Sequence, residues 1–293
     1  MSASGNRSLP RLVRELAASP LALVAAALLA LILIAALLAP LILPQDPYDL
    51  AQLDILDSRL APGSEGMDGR IHWLGTDDQG RDMLSAILYG LRISLAVGAL
   101  STFSALAIGL AVGLIAAYAG GWLDALIMRI VDIQLSFPAI LIALVLLALL
   151  GQGVDKIVVA LIAVQWAYYA RTARSAALAE QRKEYVDAAV CLAYRPARIV
   201  FRHILPNCLP PLIVIATVQI AHAIALEATL SFLGLGMPIT SPSLGLLIAN
   251  GFTHLLSGKY WISFFPGIAL LATIMAINLV GDHLRDVLNP RLR

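Results

Sequence analysis

The chain has 293 residues, of which 60% are hydrophobic and 13% are charged, whereas soluble domains average about 45–50% and 25%. A surface so poor in charge would aggregate in water, so the composition excludes a soluble fold and indicates a membrane protein. The formal net charge of +1 provides no basic field for nucleic acid, and two cysteines without CxxC spacing are too few for a disulfide framework or a zinc site.

Apolar stretches long enough to cross about 30 Å of hydrocarbon predict six membrane helices. They cover residues 20–43, 93–117, 133–150, 154–170, 209–235 and 261–281. The first is interpreted as an uncleaved anchor, because its apolar run is longer than the core of about 7–15 residues found in signal peptides. The expected fold class is therefore an all-α integral membrane protein.

The distribution of Lys and Arg predicts the orientation of these helices. Of the 20 basic residues, 14 lie in segments that the six spans place on one side, and five lie on the other. Since basic residues are retained in the cytoplasm, both termini are expected there. The predicted parts are a cytoplasmic tail 1–19, a first transmembrane anchor 20–43, an extracytoplasmic loop 44–90, a five-helix core 91–281 and a cytoplasmic tail 282–293.

The predicted loop 44–90 contains nine acidic and three basic residues, which gives it a net charge of −6. Two interpretations remain open. The acidic residues either belong to a solvated extracytoplasmic loop without a binding role, or they form a docking surface for a soluble partner.

Glycines indicate a packing face and two turns. Gly109 and Gly113 are four residues apart in the second span, which lets another helix approach closely, and packing within the bundle is favoured over an oligomer contact. The short motifs GQG at 151–153 and GLG at 234–236 lie at predicted membrane edges and are interpreted as turns.

Polar residues within the apolar spans are candidates for function or pairing. Arg129 and Asp132 are three residues apart and are predicted to form a structural ion pair. Glu227 is placed near the outer end of the fifth span, where it either makes a structural hydrogen bond to a neighbouring helix or lines the substrate pathway or gate together with Ser231. His222 lies on a different face from Glu227, so a proton-relay pair is not expected.

One long charged segment, residues 171–207, separates the fourth and fifth spans. Its Ala-rich sequence lacks Gly and contains no Pro before Pro196. The pattern predicts a cytoplasmic helix, a tight turn and a second helix that ends at Pro206.

Motifs for catalysis are absent from the sequence. There is no GxxxxGK[ST] phosphate loop, no HExxH and no GxSxG, and the five histidines are scattered. We therefore expect no enzymatic activity, no bound cofactor and no metal site in this chain.

Five sequence blocks resemble a known family. Residues 184–207, EYVDAAVCLAYRPARIVFRHILPN, resemble the EAA loop of ATP-binding-cassette importer permeases, with Asp187, Ala188 and Ala189 in the EAA positions. Segments 74–95, 118–138, 226–236 and 265–293 are similar to the second permease of the dipeptide, oligopeptide and nickel branch.

The resemblance implies a multi-pass subunit of the bacterial inner membrane that imports substrate by alternating access. It implies a heterodimer with a homologous second permease in membrane lipid, two cytoplasmic ATPase subunits that bind ATP and Mg, and an extracytoplasmic solute-binding protein. No nucleic acid is expected as a partner. Di- or oligopeptides are the expected substrates, with nickel or its chelates, glutathione and opines as alternatives.

The resemblance also implies which residues couple the permease to its ATPase. They are Tyr185, Asp187, Ala188, Ala189, Leu192, Ala193, Arg195 and Arg198. Two depart from the family pattern. Ala193 replaces a glycine, which would cost on the order of 1 kcal/mol at a left-handed bend, and Asp187 replaces the usual glutamate.

Two other classes of function remain as alternatives. One is a proton-driven secondary transporter that uses Glu227, although the sequence shows neither a convincing inverted repeat nor an acid near the midplane. The other is a structural membrane scaffold whose cytoplasmic hairpin recruits a partner.

Overall fold

The computed structural model describes residues 19–43, 45–238, 240–241 and 243–288, and these residues are mainly helical. Most of the predicted cytoplasmic tail 1–19 and residues 289–293 of the second tail lie outside the described residues. The helices are α1 (Pro20–Ile42), α2 (Met83–Ala119), α3 (Gly121–Ser136), α4 (Ala139–Leu150), α5 (Val154–Gln181), α6 (Glu184–Cys191), α7 (Pro196–Ile199), α8 (Leu205–Phe232), α9 (Leu244–Phe252) and α10 (Trp261–Leu288).

Within the described residues, length and composition identify four or five membrane crossings. The four are α1, α2, the continuous segment Pro196–Phe232 and α10, and the fifth is the bent pair α3 and α4. The predicted span 154–170 is the first part of α5, which has Asp155, Lys156 and Arg171 around its apolar middle. The membrane-protein class is therefore supported, while the count of six spans stays a prediction.

The second span begins earlier than predicted. Helix α2 starts at Met83 instead of residue 93, because the Asp82 side chain caps it by accepting a hydrogen bond from the Ser85 backbone N–H. The helix ends at Ala119 and is followed by Gly120, whose φ is +61°. The loop that precedes it is consequently shorter than the predicted 44–90.

The predicted span 133–150 is not one continuous helix. Helices α3 and α4 meet at an angle of 91°, with Phe137 and Pro138 at the break. A proline disfavours helical backbone at the preceding residue, and Phe137 is extended, with ψ of 142°. An apolar run thus contains two helices.

The cytoplasmic hairpin also differs from its prediction. Helix α5 does not stop at residue 170 but continues to Gln181, and α6 follows after a short break. After the turn, α7, a π-helical turn (Val200–Ile204) and α8 form one continuous segment. Pro206 lies in the first turn of α8, directly after the π-helical turn, and although proline lacks the N–H for a helical hydrogen bond, it does not end the helix.

The loop between α1 and α2 is folded. It contains two 3₁₀ turns (Leu50–Gln52 and Ile55–Asp57) and an antiparallel pair of short strands, β1 (Ser64–Glu65) and β2 (Ile71–His72). The loop is attached to the start of α10, because the Trp261 indole donates to the Thr76 carbonyl over 3.2 Å.

The predicted glycine face packs within the chain. A Cβ added to Gly109 would lie 2.5 Å from Tyr169 Cβ, and one added to Gly113 would lie 2.5 Å from the Ala170 carbonyl oxygen. Both contacts are with α5, which confirms the predicted packing of these glycines within the bundle.

The two ends of the bundle carry different structures. The folded loop adjoins the first turn of α2, whereas Gln181, at the end of α5, donates to the Ala117 carbonyl near the other end of α2 over 3.2 Å. Since α2 has 37 residues and rises about 1.5 Å per residue, the loop and α6 lie at opposite ends. The two predicted glycine turns, 151–153 and 234–236, lie next to each other at one end of α4 and α8, where the Gln152 side chain donates to the Gly234 carbonyl over 2.7 Å.

Candidate coupling surface and buried polar centre

Helix α6 is amphipathic and packs through one short face. Val186 and Ala189, three residues apart, are 6% and 3% exposed and belong to a core cluster with Ile199 and Ile204. The prediction that Ala189 contacts a partner is therefore wrong in this structure. Its position on the inner face of the helix places its methyl group in the core.

The opposite face of this region is open. Apart from Ala189, all the predicted coupling residues are exposed, namely Tyr185, Asp187, Ala188, Leu192, Ala193, Arg195 and Arg198. Leu192 is 65% exposed, which is high for a large apolar side chain.

Two further exposed apolar residues of this region were missed in the sequence. Val190 is 59% exposed and Phe201 is 67% exposed. The helical period alone could not identify Val190, because it follows Val186 by four residues, a spacing that places two side chains on the same side of a helix. We define the coupling surface as Asp187, Ala188, Val190, Leu192 and Phe201.

Tyr185 connects three helices. Its hydroxyl donates to Glu180 Oε2 of α5 over 2.5 Å and accepts from Asn207 Nδ2 of α8 over 3.1 Å. Partial burial, followed by the hydrogen bond to Glu180, raises the pKa of Tyr185 to about 12. The phenol therefore stays neutral and can donate this bond at physiological pH.

The turn after α6 uses a left-handed residue, as the sequence predicts. Ala193 has a φ of +55°, a conformation that favours glycine. The next residue, Tyr194, stacks on His203 with ring centroids 6.0 Å apart and has the Arg198 guanidinium carbon 4.2 Å from its ring centroid. These contacts hold the chain as it turns back towards α8.

Ion pairs fasten α3 to α5. Arg174 Nε and Nη2 each lie 2.5 Å from a carboxylate oxygen of Asp124, and Arg171 pairs with Asp132. The predicted pair of Arg129 with Asp132 is therefore wrong. Asp132 pairs with an arginine of the crossing helix α5 and not with its neighbour on α3.

Glu227 lies at the centre of a buried polar group between α2 and α8. Its side chain is 0% exposed, and its two carboxylate oxygens accept hydrogen bonds of 2.8 Å from Ser94 and Ser231. Ser243 is buried close to the same carboxylate without meeting hydrogen-bond geometry. Of the two predicted roles, the structure displays the helix-to-helix hydrogen bond, and neither Glu227 nor Ser231 faces an open path.

A second polar layer escaped the sequence analysis. Thr102 of α2 donates to Gln165 Oε1 of α5 over 3.4 Å, and Gln165 donates to the Gln219 carbonyl of α8 over 3.2 Å. The sequence does contain an indication of this layer, because the polar side chains of Gln165 and Gln219 lie within otherwise apolar segments. His222 is exposed on α8, away from the buried Glu227, as predicted.

Profiles of two protein families match the sequence. Residues 109–293 match the family described as "Binding-protein-dependent transport system inner membrane component". Residues 10–62 match the "N-terminal TM domain of oligopeptide transport permease C".

Curated relatives match most of the chain. The dipeptide transport system permease protein DppC of Alkalihalophilus pseudofirmus is 40% identical over 76% of this chain and 73% of its own length. The di/tripeptide permease DppC of Pseudomonas aeruginosa is 38% identical over 90% and 86%. The probable D,D-dipeptide permease DdpC of Escherichia coli is 37% identical over 96% and 91%.

Solved structures share the fold. Two crystal forms of the MetNI methionine ABC transporter in inward facing conformations align with TM-scores of 0.58 and 0.59 at 21% identity. Each alignment covers 71% of this chain and 98% of the transporter chain.

Proposed function

The chain belongs to the family of binding-protein-dependent transport system inner membrane components, and we propose that it is the permease subunit of an importer for di- or oligopeptides. It is a multi-pass protein of the bacterial inner membrane. The peptide substrate is supported by the relatives, whose names specify dipeptides, di/tripeptides and D,D-dipeptides. Nickel or its chelates, glutathione and opines are the less favoured cargoes.

The proposed topology has six crossings. The bent pair α3 and α4 supplies the third crossing and the apolar first part of α5 supplies the fourth, while the rest of α5 projects into the cytoplasm. The folded loop then lies outside and α6 inside, in agreement with the excess of basic residues near α6. Both terminal tails lie in the cytoplasm in this arrangement.

Coupling to the ATPases is assigned to the coupling surface. Val190, Leu192 and Phe201 expose apolar side chains, and the exposed Arg195 and Arg198 lie in the same stretch of chain. Interfaces typically combine an apolar centre with a charged rim in this way. The partner ATPases bind ATP and Mg and hydrolyse the nucleotide, and this chain supplies the surface that they move. A homologous permease completes the translocation pathway.

The continuous segment Pro196–Phe232 is the element that transmits this movement. It begins at the turn after α6 and extends to Glu227 and Ser231, while Tyr185 fastens α6 to both α5 and α8. A displacement of α6 is therefore applied to the helix that carries the buried polar centre. Transport requires that the ATPase bind the coupling surface with different affinity in its open and closed states.

The single observation that carries the proposal is the exposed apolar face of α6 in a chain of this family. Leu192→Asp places a charge on that face without entering the core. We expect at least a tenfold loss of ATP hydrolysis stimulated by the solute-binding protein, measured on the assembled complex in nanodiscs. Ala189→Asp is unsuitable, because the aspartate would enter the core.

The control is Leu256→Asp, which changes a leucine that is even more exposed than Leu192 and lies at the opposite end of the molecule. It is expected to retain stimulation. Wild-type stimulation in Leu192→Asp, with the subunits still co-purifying, would contradict the assignment of this surface.

The hydrogen bonds of Glu227 disfavour the alternative of a proton-driven transporter. Its two bonded partners are serine hydroxyls, which do not ionise at physiological pH and so cannot form a pair of titrating groups with Glu227. Peptide uptake by proteoliposomes that requires ATP supports the importer, whereas uptake driven by a pH gradient without ATP would support the alternative. A scaffold would transport under neither condition.

A further inference from the structure

The folded loop between α1 and α2 brings three potential metal ligands together. Asp57 ends the second 3₁₀ turn, Asp68 lies between the two strands and His72 ends β2. One ligand atom from each lies within 4.8 Å of the others. The spacing along the sequence matches no common metal motif, so the fold alone reveals the cluster.

His72 is oriented as a metal ligand. It is 5% exposed, and its Nδ1 lies 3.1 Å from Asp82 Oδ1. Because a carboxylate can only accept, the neutral ring donates from Nδ1 and carries its lone pair on Nε2. That nitrogen is buried and has no hydrogen-bond partner among the described residues, and a buried lone pair without a partner is costly.

The position of Asp82 is itself fixed. Its Oδ2 accepts 2.8 Å hydrogen bonds from both the backbone and the hydroxyl of Ser85, and its backbone N–H donates to the Gln45 side chain. A carboxylate that holds the far nitrogen of a histidine fixes the ring for metal binding, as in carboxylate–histidine–zinc arrangements.

Asp57 directs an oxygen into the same space. Its Oδ1 accepts from the Met67 backbone N–H over 2.8 Å, which leaves Oδ2 available. A Cβ added to Gly66 would lie 2.9 Å from Asp57 Oδ2 and 2.8 Å from His72 Nε2. The two ligand atoms therefore border a common space that the absence of a side chain at Gly66 keeps open.

Asp68 provides the third group from the exposed side. Its carboxylate accepts from the Arg70 backbone N–H over 2.9 Å, and the Arg70 guanidinium lies 3.1 Å from it. Two carboxylates and a neutral imidazole balance the charge of a divalent cation. Oxygen and imidazole ligands in this ratio suit zinc and neighbouring first-row metals better than calcium or magnesium.

We propose that Asp57, Asp68 and His72 form a binding site for a divalent transition metal ion of the Zn²⁺ type, with water as the fourth ligand and Asp82 as the carboxylate that positions His72. Bonds of about 2.0–2.2 Å in a tetrahedral site put ligand atoms about 3.3 Å apart. The three ligand atoms lie within 4.8 Å of one another, so metal binding draws them together, and the exposed Asp68 can move towards the ion by a change of rotamer. The bound ion joins the second 3₁₀ turn to the strand pair and, through Asp82, to the start of α2.

Zinc binding to the assembled complex tests this site. The complex is purified with a tag that lacks histidine, treated with a chelator, and titrated with Zn²⁺ against a chromophoric competitor. We expect one high-affinity Zn²⁺ per chain in the wild type. Asp68→Asn and His72→Gln are each expected to weaken the affinity at least tenfold, and Asp82→Asn about tenfold through the orientation of the ring.

Two variants separate metal binding from folding. Asp68 is exposed, so Asp68→Asn keeps the loop folded and isolates the ligand effect. His254→Gln removes a histidine that pairs with Asp78 outside the cluster over 2.8 Å and is expected to bind Zn²⁺ like the wild type. Equal zinc affinity of wild type and Asp68→Asn, or an equal loss in His254→Gln, would overturn the proposal.

A spectroscopic measurement identifies the ligand set. Co²⁺ in place of Zn²⁺ is expected to give the intense visible absorption of a tetrahedral site in the wild type and in His254→Gln, and a weak six-coordinate spectrum in His72→Gln. A weak spectrum in the wild type would contradict the proposed site. The test does not depend on transport, so its failure would leave the proposed function unaffected.

Discussion

Ala193 adopts a backbone conformation that favours glycine, and the effect is measurable at the scale of a single residue. Left-handed backbone costs an L-residue about 1–2 kcal/mol. Glycine avoids this cost, but it also loses more conformational entropy on folding, which offsets part of the gain in stability. We expect Ala193→Gly to raise the free energy of unfolding by about 0.5–1 kcal/mol, measured by thermal unfolding of the solubilised protein.

The control for this change is Ala197→Gly. Ala197 is exposed in α7, where glycine lowers helix stability by about 0.5–1 kcal/mol. The two variants are therefore expected to shift stability in opposite directions. A loss of stability in Ala193→Gly would show that the left-handed conformation is not strained.

Single residues also show how far sequence reasoning extends. The left-handed Ala193 follows from a glycine position in a family motif, and a hydrogen bond between Glu227 and a neighbouring helix is one of the two roles predicted from its place in the fifth span. The inward direction of Ala189 could not be derived in the same way, because the motif names a contact without stating which side of α6 packs on the protein. Only the positions of Ile199 and Ile204 decide this.

At the scale of elements, the contact of α2 with α5 depends on Gly109 and Gly113. The methyl group of Gly109→Ala would meet Tyr169 Cβ and the α5 backbone, neither of which can move freely. Overpacking of this kind costs about 1–3 kcal/mol. We expect a corresponding loss of stability in thermal unfolding of Gly109→Ala.

The matched control is Gly267→Ala in α10. A Cβ at Gly267 meets no atom within 4 Å, so alanine there is expected to be neutral or to stabilise the helix by up to about 1 kcal/mol. If both substitutions changed the stability equally, the effect would come from replacing any helical glycine by alanine. That result would contradict a specific role for the α2–α5 contact.

Element boundaries were predicted less well than element types. Charge marks the edge of the membrane but does not end a helix, so the Ala-rich α5 continues past Arg171 to Gln181. Conversely, the apolar run 133–150 conceals the break at Pro138, because hydrophobicity decides which segments enter lipid whereas backbone sterics decide where a helix ends. The proline was visible in the sequence, and the rule for the residue before it would have placed the break.

At the scale of the whole molecule, the net charge of the loop overstates its acidic surface. Of its nine acidic residues, Asp57, Asp77 and Asp82 are buried and hydrogen-bonded, and Asp78 pairs with His254. Composition could predict an acidic extracytoplasmic segment. It could not predict that part of the charge supports the loop's own fold, since composition does not state which carboxylates are buried and accept hydrogen bonds from the loop's own backbone.

The loop instead exposes large apolar side chains at the end opposite to α6. Trp73 and Met67 are each 71% exposed and Ile55 is 79% exposed. Single exposed apolar residues are common, but tryptophan is enriched in the energetic centres of interfaces. We therefore expect this loop to dock the solute-binding protein mainly through apolar contacts.

Trp73→Ser tests this expectation. The side chain is largely exposed, so its removal should leave the fold intact while weakening binding-protein affinity at least tenfold, which corresponds to about 1.4 kcal/mol, measured with immobilised nanodisc complexes. Glu65→Lys, which reverses an exposed charge on β1, is expected to change affinity less and only at low salt, since salt screens exposed charges. The reverse order, with Glu65→Lys dominant and strongly salt-dependent, would show that docking is electrostatic, as the acidic composition of the loop first suggests.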